Sequence, residues 1–432
     1  MRRYLFLLFL LLISLHTKLH SNGYLVPDIG GNFSGPTDPN PAALYWNPSA
    51  ISFSKGTNIF LDLPPVYQNV SYERIEYGSD LKELNKYDET SASSFIPPPY
   101  FGLTHSVKNI PLSFGIAGYA HMGRMAAWDK DGPQRFNGTN ALLFTANFGP
   151  AVSYMISQKL SVGAALNYIF GLLDAKMSIG LLNNEDPSTE MRAHLDWLKA
   201  NAFSFSLGVT AKPVRGLTIG AAYLAPFKAD YKGPAYITRG PEANSPLLSV
   251  LGDGLDLDAV AHQNFPQAIN FGAKYLLSQQ WESNFIAQWY DWSVNKNITV
   301  DLISDDATMQ NLLNLLKFNP YKLQSKFVDT INWKFDLRYS PNKISKIGFG
   351  FGYDPSGIPS EYISALNLEF DKILAFISGE YRLSKNLKIS GGFTHYQPLN
   401  SRHITVSNNQ YSSTGFYRAI IEKFNVAFAA DF

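Results

Sequence analysis

The sequence contains no cysteine among its 432 residues. That absence excludes a disulfide framework, a thiolate metal site, a cysteine nucleophile and a lipid-acceptor cysteine behind a leader. Charge is scarce as well: 16% of residues are Asp, Glu, Lys or Arg and the formal net charge is +1, which leaves no electrostatic footprint for nucleic acid. Beyond the N-terminus no run of about eighteen uncharged apolar residues occurs, so a transmembrane helix is not expected. A membrane protein with this sequence must cross with strands. His105, His121, His194, His262, His395 and His403 are scattered. No Gly-x-Ser-x-Gly or His-Glu-x-x-His pattern surrounds them, and they read as isolated strand and loop histidines rather than as an enzyme's centre. Gly252-Asp253-Gly254 with Asp256 and Asp258 lacks the full calcium-loop spacing and reads as a solvated external loop. No cofactor or metal is expected, and no fixed-period repeat is present.

Aromatic residues, by contrast, make up 14% of the chain, with 24 Tyr and 30 Phe. Girdles at both faces of a membrane barrel consume such side chains. The N-terminus has the form of a secretory signal: Arg2 and Arg3, an apolar run from Tyr4 to Leu15, then polar residues from His16. Leu19-His20-Ser21 lacks the usual small residue at its first position, and cleavage is placed near Ser21. The domain reading is residues 1–21 signal, 22–55 an N-terminal segment and 56–432 a barrel.

Period-two alternation is the main structural signal. Phe424, Val426, Phe428, Ala430 and Phe432 form one face of a last strand, and Lys423, Asn425, Ala427, Ala429 and Asp431 form the other. Ile331, Trp333, Phe335, Leu337 and Tyr339 alternate likewise with Asn332, Lys334, Asp336 and Arg338. Alternation alone does not separate a barrel from a soluble sandwich; loop lengths do. Tight connections near 108–110, 158–159, 214–216, 278–280, 341–344 and 385–386 alternate with long ones near 73–95, 123–138, 177–200, 231–264, 302–326, 354–365 and 398–414. Short periplasmic turns and long extracellular loops sort in this way in a transmembrane barrel. The expectation is an all-β, antiparallel barrel of about fourteen strands in the bacterial outer membrane. Phe432 ends an amphipathic strand. One long connection, 185–200, is read as a possible helix carrying Met191, Leu195 and Leu198 on one side.

The segment from Asn22 to Lys55 breaks the alternation, with Gly30-Gly31, Pro36, Pro39, Pro41 and Pro48 and a short helical stretch around Ala42 to Trp46. It is too long for a strand lead-in. Its Tyr24, Leu25, Phe33, Leu44, Tyr45 and Trp46 are residues that disordered tails lack. It precedes the first strand, so it can fold into the lumen as a plug.

Several motifs, in order along the chain, resemble the long-chain fatty acid transporter (FadL) family, which includes the aromatic-hydrocarbon importers. They are Gly23-Tyr24, Asn47-Pro48-Ser49, the run from Phe148 to Tyr154 followed by Leu160 to Ala164, Phe265-Pro266 leading to Gly272-Ala273-Lys274-Tyr275, Asp291-Trp292-Ser293, and Gly352 to Ser356. The resemblance implies uptake of hydrophobic small molecules past the lipopolysaccharide barrier, without covalent chemistry. It implies that Gly23, Tyr24 and Leu25 start a mobile plug, that Asn47, Pro48 and Ser49 form its fixed turn, and that Gly123 sits near a kink in the third strand where cargo leaves sideways into the lipid. It also implies that the barrel-assembly machinery reads Phe432. Ser49 stands where the family has Ala, and Leu172-Leu173 stand where fatty acid carriers can place a basic residue; neutral hydrophobic compounds gain weight from the second difference. The alternative is a barrel of the same fold whose external loops serve protein secretion or adhesion.

Overall fold

The computed structural model describes residues 29–181, 184–252, 254–316, 318–399 and 402–432. The expected signal peptide and Gly23, Tyr24 and Leu25 lie outside the described residues. No described helix is long and apolar enough to cross a membrane.

The chain forms a closed antiparallel barrel of 14 strands. Strand one (Thr57–Leu63 and Val66–Tyr77) pairs with strand fourteen (Gly415–Asp431) and so closes the sheet. Strand two comprises Thr90–Ile96 and Tyr100–Ser106. Strands three to six are Leu112–Ala127, Asn140–Ser157, Leu160–Gly180 and Glu190–Ala211. Strand seven joins Leu217–Leu224 to Phe227–Arg239, and strand eight joins Gly254–Phe265 to Ala268–Leu276. Strand nine is Trp281–Tyr290 with Asn297–Ile303, and strand ten is Tyr321–Gln324 with Thr330–Tyr339. Strands eleven to thirteen are Ser345–Asp354, Lys372–Arg382 and Leu387–Pro398. Several interruptions fall on proline, which has no N–H for the ladder: Pro64-Pro65 in strand one, Pro97 to Pro99 in strand two, Pro226 in strand seven and Pro266 in strand eight.

The two faces separate as the alternation requires. In strand fourteen Phe424, Val426 and Phe428 are exposed, whereas Lys423, Asn425 and Ala427 are buried. In strand ten Lys334, Asp336 and Arg338 are buried. Apolar side chains therefore point outward to hydrocarbon and polar ones inward, the reverse of a soluble sandwich. Along strand six Phe203, Phe205, Leu207 and Val209 are all exposed; at about 3.3 Å per residue such a stripe matches the apolar band of a tilted membrane strand.

Three connections differ from the sequence reading. The stretch 177–200 is not a long loop with a helix: strands five and six continue to Gly180 and from Glu190, and pair almost throughout. Met191 and Leu198 are indeed buried together, but a bulge between Leu195 and Leu198 shifts the strand's parity. That extra residue reproduces a helix-like spacing within a strand. The stretch 231–264 is mostly paired strand as well, and Asp256 and Asp258 stand in strand eight opposite Tyr236 and Pro234 rather than in a loop; Asp253 lies outside the described residues. The connection 302–326 carries a helix, Ala307–Leu315, capped by the Asp306 carboxylate, which accepts from the Thr308 and Met309 amides at 2.7 and 3.1 Å.

Candidate functional site

Residues 29–55 touch the inner face of the wall around most of its circumference. Close approach is possible because the wall carries glycine where the segment passes. A methyl group at Gly163 would come within 2.6 Å of the Ser49 nitrogen, and one at Gly348 within 2.7 Å of the Phe33 ring. Gly102, Gly115, Gly208, Gly220 and Gly272 face Pro41, Leu44, Asn47 and Pro36 in the same way. These glycines stand on strands two, three, five, six, seven, eight and eleven, so the segment lies against the inner face of at least seven strands.

A short helix, Ala43–Trp46, is wholly buried and runs into a single 3-10 stretch, Pro48–Phe53. Between them Asn47 is the fixed point. Its Nδ2 shares two hydrogens among three acceptors, the Pro36 carbonyl at 2.9 Å, the Val209 carbonyl at 3.1 Å and Thr210 Oγ1 at 2.9 Å. Its Oδ1 accepts from the Ser49 amide at 3.2 Å and the Ser49 hydroxyl at 2.7 Å. The Ser49 carbonyl in turn accepts from Ser153 at 3.0 Å and Ser161 at 2.9 Å. Asn47, Pro48 and Ser49 are thus gathered in one place; a serine rather than an alanine at position 49 adds a hydroxyl placed 2.7 Å from that of Thr210.

A second tie is ionic. Asp38 Oδ1 accepts from Lys274 Nζ at 2.8 Å and from Arg338 Nη1 at 3.0 Å, and Arg338 also meets Asp336 at 2.6 Å. Burial alone would raise the Asp38 carboxyl, but the two cations beside it outweigh burial and hold it below the ordinary carboxylate range. Neither the glycine belt nor this cluster was singled out by sequence reasoning. The glycines were visible in the sequence as inward-parity positions in strands, a signal that has meaning only once something is known to pass inside.

Strand three is irregular. Its pairing with strand four slips between Ala120 and Met122, leaving His121 as a bulge. Gly123, two residues further on, pairs regularly opposite Phe144. His121 is buried, and among the described residues neither ring nitrogen has a hydrogen-bond partner. Tyr45 from the N-terminal segment packs edge-on against it with ring centroids 5.4 Å apart, and the Tyr45 hydroxyl lies 3.1 Å from that of Tyr290. The bulge therefore rests on the segment.

Beside this bulge the wall is unpaired. Strands two and three pair from Ser106 with Ser113 up to Tyr100 with Tyr119, and the Ala120 amide adds one bond to the Pro99 carbonyl. Beyond that, Thr90–Ile96 pairs only with strand one and Met122–Ala127 only with strand four among the described residues. A cavity of about 170 Å³ lies at this gap, lined by Ala92 and Ser94 from strand two, Gly123 and Met125 from strand three, and Lys372 and Tyr396 across the lumen.

A separate cavity of about 140 Å³ lies toward the long loops and is strongly apolar: Leu143, Leu173, Leu195, Ile237, Val300 and Phe318 are among its walls. Leu173 thus sits where a carboxylate-binding cation would have been sought. Arg124 borders both cavities; its two terminal nitrogens donate to Asn367 Oδ1 at 3.0 Å and to the Leu368 carbonyl at 3.2 Å. The cluster Asp174, His194 and Asp196 has ligand atoms within 4.8 Å of one another; His194 Nε2 and Asp174 Oδ1 are 2.8 Å apart and the Asn140 amide donates to the same carboxylate at 2.8 Å.

Comparison with known proteins gives a consistent result. The barrel is similar to a FadL homologue of Pseudomonas aeruginosa (TM-score 0.80, 15% identity, covering 95% of this chain and 100% of that one). It is also similar to the toluene transporter TodX of P. putida (TM-score 0.69, 17% identity, 96% and 99% covered) and to the toluene transporter TbuX of Ralstonia pickettii (TM-score 0.67, 16% identity, 96% and 99% covered). At these identities the likeness is one of fold. No curated protein sequence matches the chain. Residues 28–432 match the family described as outer membrane protein transport protein (OMPP1/FadL/TodX), and the chain belongs to that family of outer-membrane transport proteins.

Proposed function

We propose that this protein imports hydrophobic small molecules by binding them in the lumen and releasing them sideways into the outer membrane between strands two and three. The observation that carries this reading is the unpaired stretch between Thr90–Ile96 and Met122–Ala127 with the cavity beside it. A barrel wall ordinarily leaves no edge groups open, since each unsatisfied backbone group in hydrocarbon is costly. An opening there is tolerated where it meets a cavity. Cargo passing through it avoids rehydration, a saving of roughly 0.8 kcal/mol for each methylene kept from water.

Residues 22–55 act as the plug in this scheme, with Asn47, Pro48 and Ser49 as its fixed turn and Gly23, Tyr24 and Leu25 at its start. Gly123, on the rim of the gap, keeps the exit wall thin. Tyr45 couples the plug to the His121 bulge, so displacement of the helix Ala43–Trp46 alters support for the bulge and gates the exit. Outside, lipopolysaccharide is the layer bypassed, and Phe432 is the handle for barrel assembly.

Deleting His121 tests this directly, because removing the extra residue brings Ala120 and Met122 into one register with strand four. Uptake of at least one of radiolabelled toluene and oleate by cells carrying the wild type should exceed that of cells lacking the gene, and the deletion should abolish the excess while folded barrel remains. Full uptake by a folded deletion variant would refute the lateral route; equal uptake with and without the gene would refute transport.

A further inference from the structure

Gln263 stands on strand eight opposite Ala229 and lines the apolar outer cavity. It is 4% exposed, and among the described residues its Nε2 has no hydrogen-bond partner. Leaving a buried amide N–H without a partner is unfavourable, so a polar residue in this position among leucine, isoleucine and valine demands a reason. A wholly apolar cargo supplies none, since a leucine would hold it better. From the cavity and this amide together we infer that the outer cavity selects small neutral molecules carrying one oxygen function, a hydroxyl or a carbonyl, which Gln263 hydrogen-bonds. The inference rests on the transport reading above and narrows its cargo.

Three features set the chemical class. The cavity volume of about 140 Å³ is close to that of engineered cavities that hold a benzene ring, so the bound part is of the size of one ring or a short branched chain. A carboxamide offers both donor and acceptor, and by turning about its last bond it serves a hydroxyl or a carbonyl equally. The cationic groups on its wall are engaged by the protein: the terminal nitrogens of Arg124 donate to Asn367 and Leu368, and His194 is hydrogen-bonded to Asp174. A carboxylate entering here would exchange water for leucine and isoleucine. Tyr321 also borders the cavity and places a phenol on the wall.

The probes are toluene, benzyl alcohol and benzoate, which share one ring and differ in the polar group. Each is titrated into the purified full-length barrel in detergent, and into Gln263→Leu, with binding followed by saturation-transfer NMR. Comparing the two proteins for one ligand cancels that ligand's own water affinity. Benzyl alcohol should bind the wild type about tenfold tighter than Gln263→Leu, the loss expected for one hydrogen bond. Toluene should bind the variant as well as or better than the wild type, which shows at once that the variant is folded, and benzoate should bind neither. Equal affinity of both proteins for benzyl alcohol, with toluene still bound, overturns the inference and leaves the transport reading standing. Tight benzoate binding by the wild type overturns it as well, whereas failure of every probe to bind the wild type removes the transport reading itself.

Discussion

Replacing Asn47 with alanine removes the two amide hydrogens that Nδ2 shares among three acceptors, and the two bonds accepted by Oδ1, from the buried turn of the N-terminal segment. Both acceptors on the wall, the Val209 carbonyl and the Thr210 hydroxyl, lose a partner, and the Pro36 carbonyl loses its link across the segment. With a net worth of about 0.5–1.5 kcal/mol per bond, the two N–H bonds the amide can donate sum to about 1–3 kcal/mol. Since 1.4 kcal/mol is a factor of ten, the fraction of molecules with the segment released rises roughly 5- to 150-fold. Limited proteolysis reads this number, because cleavage within 29–55 proceeds through the released state and tracks its population when reclosing is fast. The barrel is unaffected, and its heat-modifiable migration on gels should be unchanged. Cleavage at the wild-type rate by a folded Asn47→Ala protein would refute the argument that this side chain fixes the segment.

Four other outcomes are expected. Gly163→Leu forces a side chain against the Ser49 backbone and should expel the segment, seen as raised ion conductance in planar bilayers; unchanged conductance would place the segment elsewhere. Arg338→Met leaves the buried Asp336 without its cation and Asp38 with Lys274 alone, and should lower resistance to denaturant by about 3–5 kcal/mol. Asp38 has its carboxyl held below the ordinary range, so the stability it lends is fully present above about pH 4 and is lost only as pH falls through the lowered value. Protease protection of 29–55 should therefore be flat from neutral pH to about pH 4 in the wild type, while Asp38→Asn should be cleaved faster throughout. Finally, deleting Phe432 removes the two bonds, 2.9 and 2.8 Å, that its backbone exchanges with Thr57, and should lower the folded fraction recovered from membranes.

The fold was legible where chemistry repeats with a fixed period. Alternation in 331–339 and 423–432 identified lipid and lumen faces, and the sorting of tight turns and long connections identified the membrane. Reading failed where a bulge altered the period. Met191, Leu195 and Leu198 have helix-like spacing because the strand gains a residue between the last two. The same device at His121 was hidden, and the resemblance pointed to Gly123, two residues further on. Asn47-Pro48-Ser49 was found because a turn motif is local. Its partners Thr210, Ser153 and Ser161 were not, since they lie more than a hundred residues away and resemble any other inward serine or threonine. Gln263 had no signal of its own: a lone amide is informative only when its surroundings are known to be apolar.

The route of the cargo is tested most directly by photocrosslinking. A diazirine-bearing analogue of benzyl alcohol, irradiated with the barrel in native outer-membrane vesicles and mapped by peptide mass spectrometry, marks every surface it visits. Adducts should fall on the outer cavity near Leu173 and Gln263 and on both sides of the gap, at residues such as Ser94 and Met125. Adducts running instead from the outer cavity to Phe33 and Leu44 in the segment, with none on strands two and three, would show passage straight through the lumen and contradict lateral release.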